Sequence, residues 1–212
     1  MQAWYRADAI TGLADGDPVA SWVDSTANAR TLTQSTADYR PAYKVSIQNG
    51  RPAIRFDGSN DRLTGAFAGS LQFTVFSVQR PDTLGAWATI YQASPMNVWA
   101  TYSTDPTIVR FAFEDPARNY YYVAHAASTS VPELWTLRYD QSWWRLWVKG
   151  GALVPLAETD SPAGGTTLFI GVAGSYSYYF DGDIFELAFF AEALSDRDRQ
   201  RVERYLARKW GL

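Results

Sequence analysis

A chain of 212 residues with 47% hydrophobic and 19% charged side chains can bury a sizeable core, which excludes a disordered chain. A net charge of −3 leaves no broad basic field, which argues against nucleic acid and anionic membrane surfaces as partners. With 0 Cys there is no disulfide framework and no thiolate metal site, and no apolar run approaches the roughly 20 residues of a membrane span.

The opening stretch "MQAWYRADAITG" is polar from its start and shows no signal-peptide pattern. Short β-type runs then recur between turn signals. "PAIRFDG" alternates and ends in the turn pair Asp57-Gly58. "LQFTVFSVQR" is apolar on both parities, which predicts a strand buried on both faces in part. "WATIYQAS", "IVRFAFED", "YYYVAHAA", "LWTLRYD", "WWRLWVKGG" and "TTLFIGVAG" follow. This spacing predicts an all-β antiparallel sandwich in a single domain over residues 1–212, with no βαβ units and no internal repeat.

One helix is predicted near the end, over about residues 195–209. Ser195 is a good N-cap, with Asp198 in the capping-box position. Asp196 and Asp198 at its start and Arg208 and Lys209 at its end suit the helix dipole, and Gly211 can end it. Val202, Tyr205, Leu206 and Trp210 form the expected apolar stripe. The basic residues alternate with acids, and Arg199 lies four positions before Glu203, so they are expected on a solvated face.

Four stretches together resemble the laminin-G-like branch of the concanavalin A-type lectin and glucanase superfamily. They are "AWYRADAITGLADGDPVASWVDSTANARTLTQ", "RPAIRFDGSNDRL", "LWTLRYDQSWWRLWVKGG" and "YFDGDIFELAFFAEALSDRDRQRVERYLARKWGL". The resemblance implies a jelly-roll of two antiparallel sheets with a short C-terminal α-helix. The segment from Asp24 to Asn28 departs from it, lacking the glycines that relatives often carry there.

The densest acidic cluster is Asp181, Asp183 and Glu186 in "YFDGDIFELAFF". Laminarinase-type members of the superfamily carry a Glu-x-Asp-x-Glu strand, and a retaining pair needs carboxyl groups about 5 Å apart. Period two puts Asp181 and Asp183 on one face, and Glu186 joins them only if a bulge intervenes. The laminin-G-like pattern fits better through Phe180, Gly182, Ile184 and Glu186. It implies that Asp183 or Glu186 binds backbone donors or pairs with an arginine such as Arg6. No catalytic residue is therefore assigned. His125, the single His, has no nucleophile elbow near it.

Relatives sometimes bind Ca²⁺ at the sandwich rim, and Asp57, Asn60 and Asp61 in "FDGSND" are the candidate ligands here. The same residue types are common turn formers, and the turn reading is preferred. No other cofactor is expected.

Aromatic residues make up 16% of the chain. Trp143 and Trp147 share one strand face, Tyr120 and Tyr122 another, and Tyr176 and Tyr178 a third. These six are the candidate ligand-binding rings, since rings stack on sugars and also anchor protein interfaces. The favoured function is a non-catalytic lectin-like module on a virion surface. Its partners would be a host glycan or neighbouring virion proteins, as a tail-associated receptor binder or a head decoration protein, with homo-oligomers allowed. The alternatives are a structural capsid-decoration protein without glycan binding, and a glycoside hydrolase using the acids of residues 181–186.

Overall fold

The computed structural model describes residues 1–83, 87–94, 98–102, 108–114, 120–126, 128–152, 156–157, 166–174 and 177–212, of which residues 94, 98–102, 108–114, 120–126 and 156–157 are described by their backbone alone. In chain order the strands are β1 (Ala3–Arg6), β2 (Ser21–Trp22), β3 (Leu32–Thr33), β4 (Ala42–Gln48), β5 (Arg51–Asp57), β6 (Leu63–Ala66), β7 (Phe73–Pro81), β8 (Thr89–Ser94) and β9 (Val98–Tyr102). They continue with β10 (Ile108–Glu114), β11 (Tyr120–Ala126), β12 (Glu133–Tyr139), β13 (Trp143–Val148), β14 (Gly151–Ala152), β15 (Leu156–Ala157), β16 (Thr167–Ile170) and β17 (Asp181–Phe190). Helix α1 spans Asp196–Trp210.

Two antiparallel sheets pack face to face as a jelly-roll sandwich. Among the described residues, the first sheet runs β14-β13-β12-β7-β17-β5-β4, with β1 beside β17 and β15 beside β13. The second runs β11-β10-β9-β8-β16-β6-β3-β2. The chain crosses between sheets repeatedly: β5 to β6, β7 to β8, β11 to β12, β16 to β17. Strands that are neighbours in a sheet are thus often distant in sequence.

The main core lies between the sheets. It takes Trp135, Leu137 and Phe189 from the first and Trp22, Tyr91 and Leu168 from the second, with Tyr5 and Phe56 beside them. A second core lies on the far side of the first sheet, where Phe76, Leu134, Phe185 and Ala188 meet Leu206 and Trp210 of α1. Because α1 backs this sheet, β7 and β17 are buried on both faces, polar Thr74, Ser77, Gln79, Asp183 and Glu186 included.

The ends of α1 are set locally. The Asp198 amide donates to the Ser195 hydroxyl, and Gly211 adopts a left-handed conformation at φ 69° while its N–H bonds the Ala207 carbonyl. Its buried face differs from the expected one. Arg199, Glu203, Leu206 and Trp210 are buried, whereas Tyr205 is 42% exposed. The expectation that Arg199 and Glu203 lie on a wet face is corrected. Arg199 Nη1 bonds both Glu203 oxygens at 2.7 and 2.6 Å, and the Thr136 hydroxyl donates to Glu203 at 2.8 Å. The pair neutralises itself and finds a partner on the sheet, which lets charge lie beneath a helix.

Candidate functional site

β17 answers the question its three carboxylates raise. Its register slips between Ile184 and Glu186, so a bulge does bring Glu186 round to the outer side of the first sheet, toward α1. The two acids there are already occupied. Asp183 is fully buried and takes Arg55 Nε and Nη2 at 2.8 and 2.9 Å, with Arg80 Nη2 on the same carboxylate. Glu186 accepts from the indoles of Trp4 at 2.6 Å and Trp210 at 2.8 Å, and from Lys209 Nζ at 2.7 Å. Arg6, the partner expected from sequence, instead donates to Ser25 and lies over the Trp4 ring. Asp181 accepts the Thr83 hydroxyl at 2.6 Å. Gly182, at φ 145°, is required because a Cβ there would collide with the Arg80 carbonyl oxygen. Carboxylates held by guanidinium, ammonium and indole donors have no free face toward a sugar bond. The strand is a structural clamp.

The rim turn after β5 is likewise closed on itself. Asp57 Oδ1 accepts the amides of Ser59, Asn60 and Asp61 at 2.8, 3.1 and 3.3 Å, and Asp61 Oδ2 accepts the Asp57 amide at 3.0 Å. Burial, and then the neighbouring Asp57 charge, push the Asp61 carboxyl up to about 6. Both side chains are thus bonded within the turn, as the preferred turn reading expects. Among the described residues no three His, Asp or Glu side chains converge as a metal set.

The six candidate rings separate. On β13, Trp144 enters the core and stacks on Tyr139 at 4.6 Å. Trp147, expected to share a wet face with Trp143, is covered by α1 and lies 4.1 Å from the Arg199 guanidinium and 4.9 Å from that of Arg138. The helix folding back across the sheet removes it from solvent. Trp143, beyond the helix, remains 39% exposed, with Arg145 5.7 Å from its ring.

The outer face of the second sheet carries other candidates, and no α-helix among the described residues covers it. Pairing aligns one row across it: Thr33, Thr64, Phe169, Gln92, Trp99, Ala112 and Tyr122. The alternate positions on the same strands include Leu63, Leu168 and Tyr91, which are in the core, so this row belongs to the opposite face. Tyr120 shares that face through its pairing with Glu114. His125 falls at a position of the other parity, paired with Val109. Thr64 and Phe169 are half-buried, and Thr33 is exposed.

A loop borders this face. Val172 pairs with Tyr179, and Gly174 donates its N–H to Gln92 Oε1 while lying so close to the Phe169 ring that a Cβ would come within 2.7 Å. The loop then presents Tyr178, half-buried, with the Trp87 ring 6.2 Å away and tilted by 32°. Trp87 holds φ 64°, a conformation that bulky residues rarely adopt and that recurs at binding sites. Tyr176 lies outside the described residues. The expected residues brought together are thus Tyr120 and Tyr122 on one sheet face, with Tyr178 on a loop at its border. Sequence reading missed Trp87, Trp99 and Phe169. For Phe169 the signal was present in "TTLFIG", where Leu168 and Ile170 share one parity and Phe169 takes the other.

No protein-family profile matches the chain, and no curated protein matches it. Its fold is similar to solved binding domains of botulinum neurotoxins and of a mosquitocidal protein. The botulinum neurotoxin serotype D binding domain superposes with a TM-score of 0.69 at 12% identity, over 95% of this chain and 52% of that one. The receptor-binding domain of the botulinum neurotoxin C/D mosaic serotype gives 0.70 at 11%, over 96% and 50%. The binding domain of Paraclostridial Mosquitocidal Protein 1 gives 0.68 at 11%, over 91% and 51%. The chain spans about half the length of these structures, and at such identities the likeness is one of fold.

Proposed function

We propose that this chain is a non-catalytic binding module that meets a carbohydrate receptor with the outer face of its second sheet. One observation carries the reading. The acids that could do chemistry are locked in buried pairs, while an aromatic-bearing sheet face lies away from the only described α-helix. Rings stack on the apolar faces of sugars, and the exposed Thr33 and half-buried Thr64 supply hydroxyls on the same face. That similar folds belong to toxin receptor-binding domains supports a binding role. The site of action is a virion surface, where a laminin-G-like module without cysteines can fold in a reducing cytoplasm and work outside after release.

The test is binding of the purified chain to a broad glycan array, with and without Ca²⁺. A selective signal that Trp87→Ala, Tyr178→Ala or Tyr122→Ala removes, and that Ca²⁺ leaves unchanged, supports the module as drawn. A blank array, with the same rings protected in an assembled particle, means a capsid-decoration role instead. Hydrolysis of any glycan that Asp183→Asn abolishes in a folded protein would overturn both.

A further inference from the structure

Helix α1 has more apolar surface than the sheet beneath it covers. Val202 is half-buried at the edge of the second core and Tyr205 is largely open, and both border the N-terminal strand. Together they wall a groove of about 530 Å³ whose floor is Trp4, Ala188 and Phe190. The Tyr205 and Trp4 rings meet edge to face at 6.2 Å. Past Tyr205 the groove runs on into a second hollow of about 470 Å³, lined by Arg208, Lys209, Arg51 and Asp8.

The two ends differ in charge. Asp198 and Glu192 stand at the end nearer the start of α1. At the other end three cations face one surface acid. Asp8 is taken by Arg51 at 3.2 Å and Lys209 at 2.9 Å, and Lys209 also holds the buried Glu186. Arg208 is exposed and has no ion pair or hydrogen bond among the described residues. Arg197, Arg201, Arg204 and Arg208 are all exposed, and their spacing of four, three and four sets them in one stripe along the outer lip of the groove. Among the described residues Arg201 alone of the four has an ion-pair partner, Asp198, at 3.6 Å.

We infer that this groove docks a segment of another protein that carries an apolar or aromatic anchor followed by acidic side chains. The anchor sits between Trp4 and Tyr205, and the acids reach Arg208 and the arginine stripe. Charge complementarity selects this occupant, since guanidinium forks match carboxylates and an apolar trough beside a basic stripe fits an acidic amphipathic segment. The inference is independent of the glycan reading, because the groove lies on the helix side of the first sheet and the proposed glycan face on the far side of the second. A module built this way is held by one side and binds with the other.

The experiment pans the full chain against a display library of short random peptides. Enriched sequences are then synthesised with a fluorescent label and titrated by anisotropy at low and high salt. The expected result is enrichment of apolar residues followed by Asp or Glu. Affinity should fall by about tenfold or more in Arg201→Glu/Arg208→Glu and in Tyr205→Ser, and should fall with salt. All three side chains lie at the surface, and circular dichroism melts confirm that the variants fold. No enrichment, enrichment without acids, or peptide binding unchanged in both variants overturns the inference. So does a concentration-dependent dimer in light scattering that Tyr205→Ser abolishes, which would make a second copy the occupant.

Discussion

The two sheets are built from similar strands, yet their outer faces have opposite fates. On the first sheet, α1 folds back and covers Phe76, Phe185 and Trp147, and the buried outward acids of β17 are neutralised: Asp183 holds arginines and Glu186 holds Lys209 and two indoles. On the second, the corresponding positions hold Thr64, Phe169 and the row that continues through Trp99 to Tyr122, with residues 171–174 folding over one part. The same amphipathic alternation therefore yields a second core on one side and a candidate binding surface on the other. What separates them is a helix contributed by the last residues of the chain, not the strands themselves.

Substitutions should split along the same line, with covered positions costing stability and open positions costing binding. The largest effect is expected at Trp147→Ala, which empties a space under α1 and strips Arg199 of its ring. A loss of about 3–5 kcal/mol should appear as a lower denaturant midpoint. Glu186→Gln leaves Lys209 and two indoles around a neutral amide, and should cost about 3 kcal/mol in the same assay. A loss under about 0.5 kcal/mol there would mean that α1 docks by apolar contact alone.

Gly182→Ala follows, at about 2–3 kcal/mol, since the new Cβ meets the Arg80 carbonyl and the backbone must leave φ 145°. Asp61 should show a smaller, pH-dependent effect. Its carboxyl is raised to about 6 in the folded chain, so it binds a proton more tightly folded than unfolded. Its stabilising contribution is then fully present below the ordinary carboxylate range and is lost as pH rises through about 6. Thermal melts across that interval should show the slope in the parent chain and a flatter profile in Asp61→Asn. At the bottom of the scale, Trp143→Ala should cost far less than Trp147→Ala, about 1 kcal/mol or under, because that ring lies beyond α1 and is 39% exposed. Equal costs at Trp143 and Trp147 would erase the distinction between the two ends of β13.

Much of this was legible in the residues. Ser195, Asp198 and Gly211 mark the helix ends through bonds made within a few positions, so α1 could be bounded without knowing what it touches. Alternation separated Tyr120 and Tyr122 from Tyr121, and the register keeps that separation. The run "LQFTVFSVQR", apolar on both parities, announced that β7 is buried on two sides, and the spacing of the β17 acids left room for the bulge that brings Glu186 onto the same face as Asp183. These features are local: period, capping and turn chemistry depend on neighbours in sequence.

The remainder depends on contacts between distant segments. Asp183 meets Arg55 and Arg80 across separations of 128 and 103 residues, and Glu186 meets Trp4 across 182. No local pattern distinguishes such a clamp from a catalytic strand, because both need closely spaced acids facing one way. Arg199 and Glu203 read as a solvated pair until Thr136 and Trp147 are set beneath them. The sequence by itself determined the all-β class, the alternation of faces along the strands it marked and the ends of the helix, while β4 and β9 carried no such mark. The tertiary structure decided which face α1 covers, and so which acids are neutralised and which rings stay open, because burial is set by what packs from elsewhere in the chain.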